Sequence, residues 1–215
     1  MITDKIYGTL PENLGSVDLN TSEMMFWMYC PIKLPDSEFF VLPSNLKQFE
    51  PLVLRVMKDT LDCRRWYGHY VYITAKTLYV KPDSPGNRPG WHSDGFLTDD
   101  LNYIWSDKNP TVFFHDNSLH SFSHDHVDSL HEMDALCEGE TSKHIRYESK
   151  HLLKLDQTVL HKVDTNIQAG VRTFVKISIS KNVYALKGNS INHELPLNAT
   201  YLERGTERNC PTGQK

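Results

Sequence analysis

The most regular pattern in the chain is an alternation near its C-terminal third. There Val175, Ile177 and Ile179 interleave with Phe174, Lys176, Ser178 and Ser180. A period of two puts successive side chains on opposite faces, so 171–180 is predicted to be a strand. A second strand is predicted over 69–81, a run dense in β-branched and aromatic residues without a breaker. Others are expected near 111–115, 143–148 and 152–163. Residues 82–90, rich in Pro, Gly, Asp, Asn and Ser, read as a loop. Ahead of these, Leu52, Val53, Val56, Met57 and Leu61 form a helical stripe behind Pro51, with Ser44 placed to cap a preceding turn. That helix is expected to cover one face of a sheet. Residues 1–43 are broken by Pro31, Pro35 and Pro43 into short pieces such as 24–28 and 39–42, expected to be short strands or turns.

Six or more strands with one helix before them, and no strand–helix alternation, predict a mainly β chain with flanking helices. Its antiparallel sheet is expected to be closed or sandwiched. At 215 residues the chain is short for two ordinary domains. The expected organisation is one domain over 1–215. Residues 1–68 pack on the barrel, 69–180 form the catalytic core and 181–215 are a C-terminal extension.

Composition narrows the partners. With 23 basic and 27 acidic residues the formal net charge is −4, which makes duplex nucleic acid an unlikely partner. No apolar run approaches the roughly 18 residues of a membrane span, and no basic-then-apolar leader opens the chain, so a cytoplasmic protein is expected. Cys30, Cys63, Cys137 and Cys210 are scattered without a CxxC pair and are expected to be free thiols. The sequon at Asn198 carries little weight without a leader.

The candidate chemistry begins at Gly90-Trp91-His92-Ser93-Asp94-Gly95-Phe96. On a strand, His92 and Asp94 face the same way, about 7 Å apart along the chain. The competing possibility is that Asp94-Gly95 simply closes a turn. A third ligand is available in His161, followed by a turn-rich stretch over 164–170 and then Arg172. If this is a hairpin folded between Asn166 and Ile167, His161 and Arg172 lie opposite each other. Two histidines and one carboxylate on one face of an octahedron leave three positions open. Two accept a keto acid as a chelate and the third dioxygen, while a guanidinium clamps a distal carboxylate.

In order and spacing, His92-x-Asp94, His161 and Arg172 resemble the iron(II)- and 2-oxoglutarate-dependent dioxygenase superfamily. The Trp-His-x-Asp-Gly wording is similar to its phytanoyl-CoA hydroxylase-like and related small-molecule branches. The likeness covers roughly residues 78–180. It implies a double-stranded β-helix (the cupin-like jelly roll), with Fe(II) on His92, Asp94 and His161 and the cosubstrate on Arg172. It also implies decarboxylation of 2-oxoglutarate to succinate and oxidation of a substrate C–H bond by O2. Several branches carry a hydroxyl residue two places after the arginine, where this chain has Phe174. Tyr79, Tyr103 or Thr111 is then the expected substitute, or Lys81 as a second cation.

A second histidine-rich stretch holds His115, His120, His124, His126 and His131 with Asp116, Asp125 and Asp128. Its first expectation is a polar loop over the barrel mouth, with Val127, Leu130 and Met133 anchoring a short helix. A lid histidine and a structural metal site are the alternatives. Trp91, Phe96, Trp105 and Phe114 are candidates for pocket wall or plain core. The rival functions are a cupin-like metalloenzyme without 2-oxoglutarate and a non-enzymatic metal-binding β-barrel module. The expected substrate is a small molecule or a side chain, with a nucleotide or flipped base still open. Oligomeric state is left open.

Overall fold

The structure is a computed structural model that describes residues 5–21, 23–61, 65–108 and 111–204. Among these residues the chain is mainly β, with ten strands in two antiparallel sheets. The strands are β1 (Glu12–Ser16), β2 (Met25–Lys33), β3 (Tyr70–Val80), β4 (His92–Ser93) and β5 (Leu101–Ser106), then β6 (Thr111–Phe114), β7 (His144–Arg146), β8 (His151–Leu155), β9 (Leu160–Val163) and β10 (Gly170–Ser180). Six strands run in the order β1-β8-β5-β10-β3-β2 and four in the order β4-β9-β6-β7. The helices are α1 (Glu50–Leu61), the single turn α2 (Arg65–Gly68) and α3 (His126–Glu138). No described helix is long and apolar enough to cross a membrane.

Each sheet has an apolar outer face and a mixed inner one. On β10, Val175, Ile177 and Ile179 join Leu52, Val53 and Val56 of α1 in the largest hydrophobic cluster. The helical stripe therefore does cover a sheet, though Thr60 is its last buried member, while Met57 is half-buried and Leu61 exposed. Thr60 satisfies its hydroxyl on the Val56 carbonyl at 2.8 Å. A 3₁₀ segment, Ser44–Phe49, runs directly into α1 after Pro43, so Ser44 does not cap a separate turn. Trp91, Val112, Phe114 and Leu160 of the smaller sheet pack with Met133 and Cys137 of α3. Between the sheets Ile104, Phe113, Leu153, Leu155 and Val159 form an apolar plug.

Two expectations about strands are overturned. The run 152–163 is two strands in different sheets, because Asp156 Oδ1 accepts from both the backbone N–H and the hydroxyl of Thr158 and turns the chain. The β9–β10 hairpin does not form. Asp164 accepts from Arg146 Nε at 2.6 Å and from Asn166 N at 3.0 Å, fastening the 164–169 segment beside β7. The chain then crosses to the other sheet. His161 is paired with His92 and Phe113, and Arg172 with Leu78, so His161 and Arg172 are not partners. β5 was not expected, yet it sits centrally between β8 and β10. Cys30 and Cys137 are free and buried; Cys63 and Cys210 lie outside the described residues.

Candidate metal centre

β4 is only two residues long. His92 sits opposite His161 in the β4–β9 ladder, and directly paired side chains share a face, which brings the imidazole centroids to 4.4 Å. Asp94 lies one residue beyond the strand, where Gly95 at φ +74° starts a turn. The strand expectation for His92 and the turn alternative for Asp94-Gly95 thus both describe part of the segment. A Cβ on Gly95 would come within 3.0 Å of the Asp100 Cβ, so the turn needs glycine for space as well as for φ.

Donor atoms of His92, Asp94 and His161 all lie within 4.8 Å of one another, and this is the one such trio among the described residues. Each imidazole places Nδ1 against the carbonyl two residues before it. His92 does so on Gly90 at 2.9 Å and His161 on Val159 at 3.2 Å. With Nδ1–H donating there, Nε2 carries the lone pair a metal needs. Nε2 of His161 lies 3.6 Å from Asp94 Oδ2. Burial, then the neighbouring His161, pushes the His92 pKa down to about 4, so the ring is neutral at ordinary pH. Burial works against the Asp94 carboxylate, but Lys176 and the two histidines outweigh it and hold the carboxyl well below its ordinary range.

The trio opens on a cavity of about 630 Å³ between the sheets. From the larger sheet Thr74, Lys76, Asn102, Ile104, Phe174 and Lys176 line it; from the smaller, Thr111 and Val163. Lys176 Nζ lies 3.0 Å from each Asp94 oxygen. Lys76, across the ladder from Phe174, has no carboxylate partner among the described residues: it donates to Asn87 Oδ1 at 3.2 Å and the Gly86 carbonyl at 3.4 Å and lies over the Phe26 ring. Burial, then the positive neighbours Lys176 and Arg172, push its pKa down to about 8.

Arg172 lies just behind this wall. It is 3% exposed, donates from Nε to the Lys108 carbonyl at 3.1 Å and stacks on Phe174 with 5.3 Å between Cζ and the ring centre. Its Nη2 is buried without a hydrogen-bond partner. Burial lowers its pKa to about 10, still cationic at neutral pH. Of the four residues proposed to assist it, only Thr111 faces the cavity. Tyr79 is 63% exposed, Lys81 pairs with Asp83 at the surface, and Tyr103 donates to Asp59 on the helix side of the sheet.

The 115–131 stretch does not gather a metal site. Asp116 instead accepts from Lys143 at 2.9 Å and His120 at 3.3 Å, while His131 is exposed. Its distal part does wall the cavity through His124, His126, Ser129 and Leu130, joined by Met133 just beyond it. The expected short helix is a full 13 residues, capped by Asp125 on the N–H groups of Val127 and Asp128. Of the aromatic candidates, Phe96 reaches the cavity while Trp91, Trp105 and Phe114 are core.

Lys76, Lys176 and Tyr29 were not anticipated from the sequence. The two lysines carried a signal, since a charged residue inside a strand apolar on its other face needs a buried partner or a ligand. Tyr29 carried none, because a strand irregularity places it. No known protein-family model matches the chain, and no curated protein shows significant similarity to it.

Proposed function

We propose that this chain is an iron(II)- and 2-oxoglutarate-dependent oxygenase on a double-stranded β-helix, with His92, Asp94 and His161 holding the metal. The observation that carries this reading is the convergence of two imidazoles and one carboxylate on the wall of a 630 Å³ cavity. A bound ion would draw these donors to about 3 Å from one another, given metal–ligand distances of about 2.1 Å. The strand orders support the fold: β3-β10-β5-β8 within the larger sheet faces β4-β9-β6-β7, with successive strands from β3 to β6 alternating between the two.

The cationic wall supports the cosubstrate. Lys76, on the cavity wall without a carboxylate partner among the described residues, is a group that the far carboxylate of a dicarboxylate satisfies, with the Arg172 charge behind it. When bound, the iron and 2-oxoglutarate supply oxidising power: dioxygen, 2-oxoglutarate and a substrate C–H give succinate, carbon dioxide and a C–OH. The chain's own residues orient Asp94 and the imidazoles, neutralise the second carboxylate and wall off bulk water with α3. The cavity also leaves space for a substrate that is a small molecule or a side chain.

One observation favours a second reading. Arg172 sits behind Phe174 and not on the cavity wall, as a cupin-like metalloenzyme without 2-oxoglutarate would allow. Lys76→Met separates the two. In the favoured reading it weakens 2-oxoglutarate binding at least about tenfold with iron(II) affinity unchanged; wild-type protein that binds iron(II) but no 2-oxoglutarate would move the assignment to the cupin-like enzyme.

A further inference from the structure

Lys176 sits near the middle of β10 at 9% exposure. Its ammonium has three N–H bonds and three acceptors, Asp94 Oδ1 and Oδ2 at 3.0 Å each and Tyr29 Oη at 3.2 Å. The head group is therefore fully used, and its partner is the carboxylate placed among the metal-binding imidazoles. Tyr29 is held there under strain. In the β2–β3 ladder Trp27 opposes Ala75 and Cys30 opposes Ile73, so Met28 and Tyr29 both face Thr74 in a bulge. Tyr29 adopts φ +46°, a region bulky residues avoid. Its N–H donates to Thr74 Oγ1 at 3.0 Å, and Met28 N–H to Ser190 Oγ at 2.9 Å. The ring packs against Tyr184 and Tyr72, with centroids 5.0 and 6.3 Å away.

We infer that Lys176, braced by Tyr29, is a positioning residue that confines Asp94 to one-oxygen ligation and holds metal affinity below what the bare trio would reach. The inference rests on the metal assignment above. A carboxylate with both oxygens free can chelate an ion and occupy a position that a keto acid or dioxygen needs. Lys176 bonds both oxygens equally, but only Oδ2 also faces His161, so an ion taken up there would leave Lys176 on Oδ1. Its positive charge beside the ion also opposes binding of a dication. Removing it leaves a buried carboxylate without a counter-charge, which an incoming metal relieves. The strand and bulge thus trade metal affinity for open coordination positions.

The test is titration of wild type, Lys176→Met, Lys176→Arg and Tyr29→Phe with Co(II), read by affinity and visible d–d spectrum, followed by 2-oxoglutarate. Lys176→Met is expected to bind Co(II) at least about tenfold more tightly, with a spectrum showing one more oxygen donor. It should bind 2-oxoglutarate at least about tenfold more weakly. Lys176→Arg should return both values towards wild type, and Tyr29→Phe should fall between. A general loss of structure lowers both affinities together and cannot produce the opposite movement. If Lys176→Met does not fold, Tyr29→Phe carries the test, and its unchanged Co(II) affinity overturns the inference. Equal or weaker Co(II) binding by Lys176→Met overturns it while leaving the metal site standing. Failure of wild type to bind Co(II) removes the metal assignment itself, and the inference with it.

Discussion

At the residue scale, the centre depends on small groups that fix the orientation of larger ones. The Gly90 and Val159 carbonyls set which imidazole nitrogen is left free for a metal, and Gly95 makes the turn that carries Asp94. Gly95→Ala would strain that turn at positive φ and press on Asp100. It is expected to lower metal affinity at least about tenfold, roughly 1.4 kcal/mol, by isothermal titration. Metal binding at wild-type affinity would show that the turn tolerates a side chain. Outside the centre, Asp116 illustrates a charged cluster that serves structure. The Lys143 ammonium, then the Ser118 backbone and hydroxyl groups, hold its carboxyl below the ordinary range. A depressed acid stabilises the fold above its unfolded pKa of about 3.9, and that contribution is lost as pH falls towards the lower folded value. Asp116→Asn should therefore melt a few degrees at most below wild type at pH 7, the pair being partly exposed. The gap should begin to narrow below about pH 4 and shrink further as the pH falls towards the folded value. A gap as wide at pH 2 as at pH 7 would mean Asp116 acts through something other than its charge.

At the element scale, β10 divides the molecule's tasks. One face builds core against α1 and the other presents Arg172, Phe174, Lys176 and Ser178 to the interior. The period-two pattern makes that division legible in the sequence, and the apolar stripe does the same for α1. The ladder that joins His92 to His161 is not legible there. Periodicity reports which way a side chain faces, whereas pairing between distant strands depends on turns and crossings. Asp156 and Asp164 decide those here through bonds to Thr158 and Arg146. The hairpin expected after His161 fails for that reason, and with it the placement of Arg172 opposite His161, although the trio itself comes together. The short β4 and the bulge at Tyr29 escape because neither leaves a period to detect. The division of labour predicts that Leu52→Ala, which hollows the α1 face, destabilises the fold by about 2–5 kcal/mol in denaturant melts. Metal affinity should stay within about twofold of wild type. A large loss of metal binding would mean that the two faces of the sheet are coupled.

At the scale of the whole molecule, the centre spans the interior between two sheets. His92 and His161 come from the smaller sheet, and the cations facing them from the larger. An ion that ties His92, Asp94 and His161 binds the folded state and not the unfolded chain. At one hundred times its dissociation constant it should add about 2.7 kcal/mol of stability, a rise in melting temperature of roughly 5–10 °C. His92→Ala should abolish that rise. An undiminished rise in the variant would place the ion elsewhere.

The central claim is tested most directly by anaerobic titration with iron(II) and then 2-oxoglutarate, followed by visible absorption. A weak charge-transfer band that needs both additions, and is absent in His92→Ala, is the predicted result. Iron bound at one equivalent with no band on adding 2-oxoglutarate would contradict it.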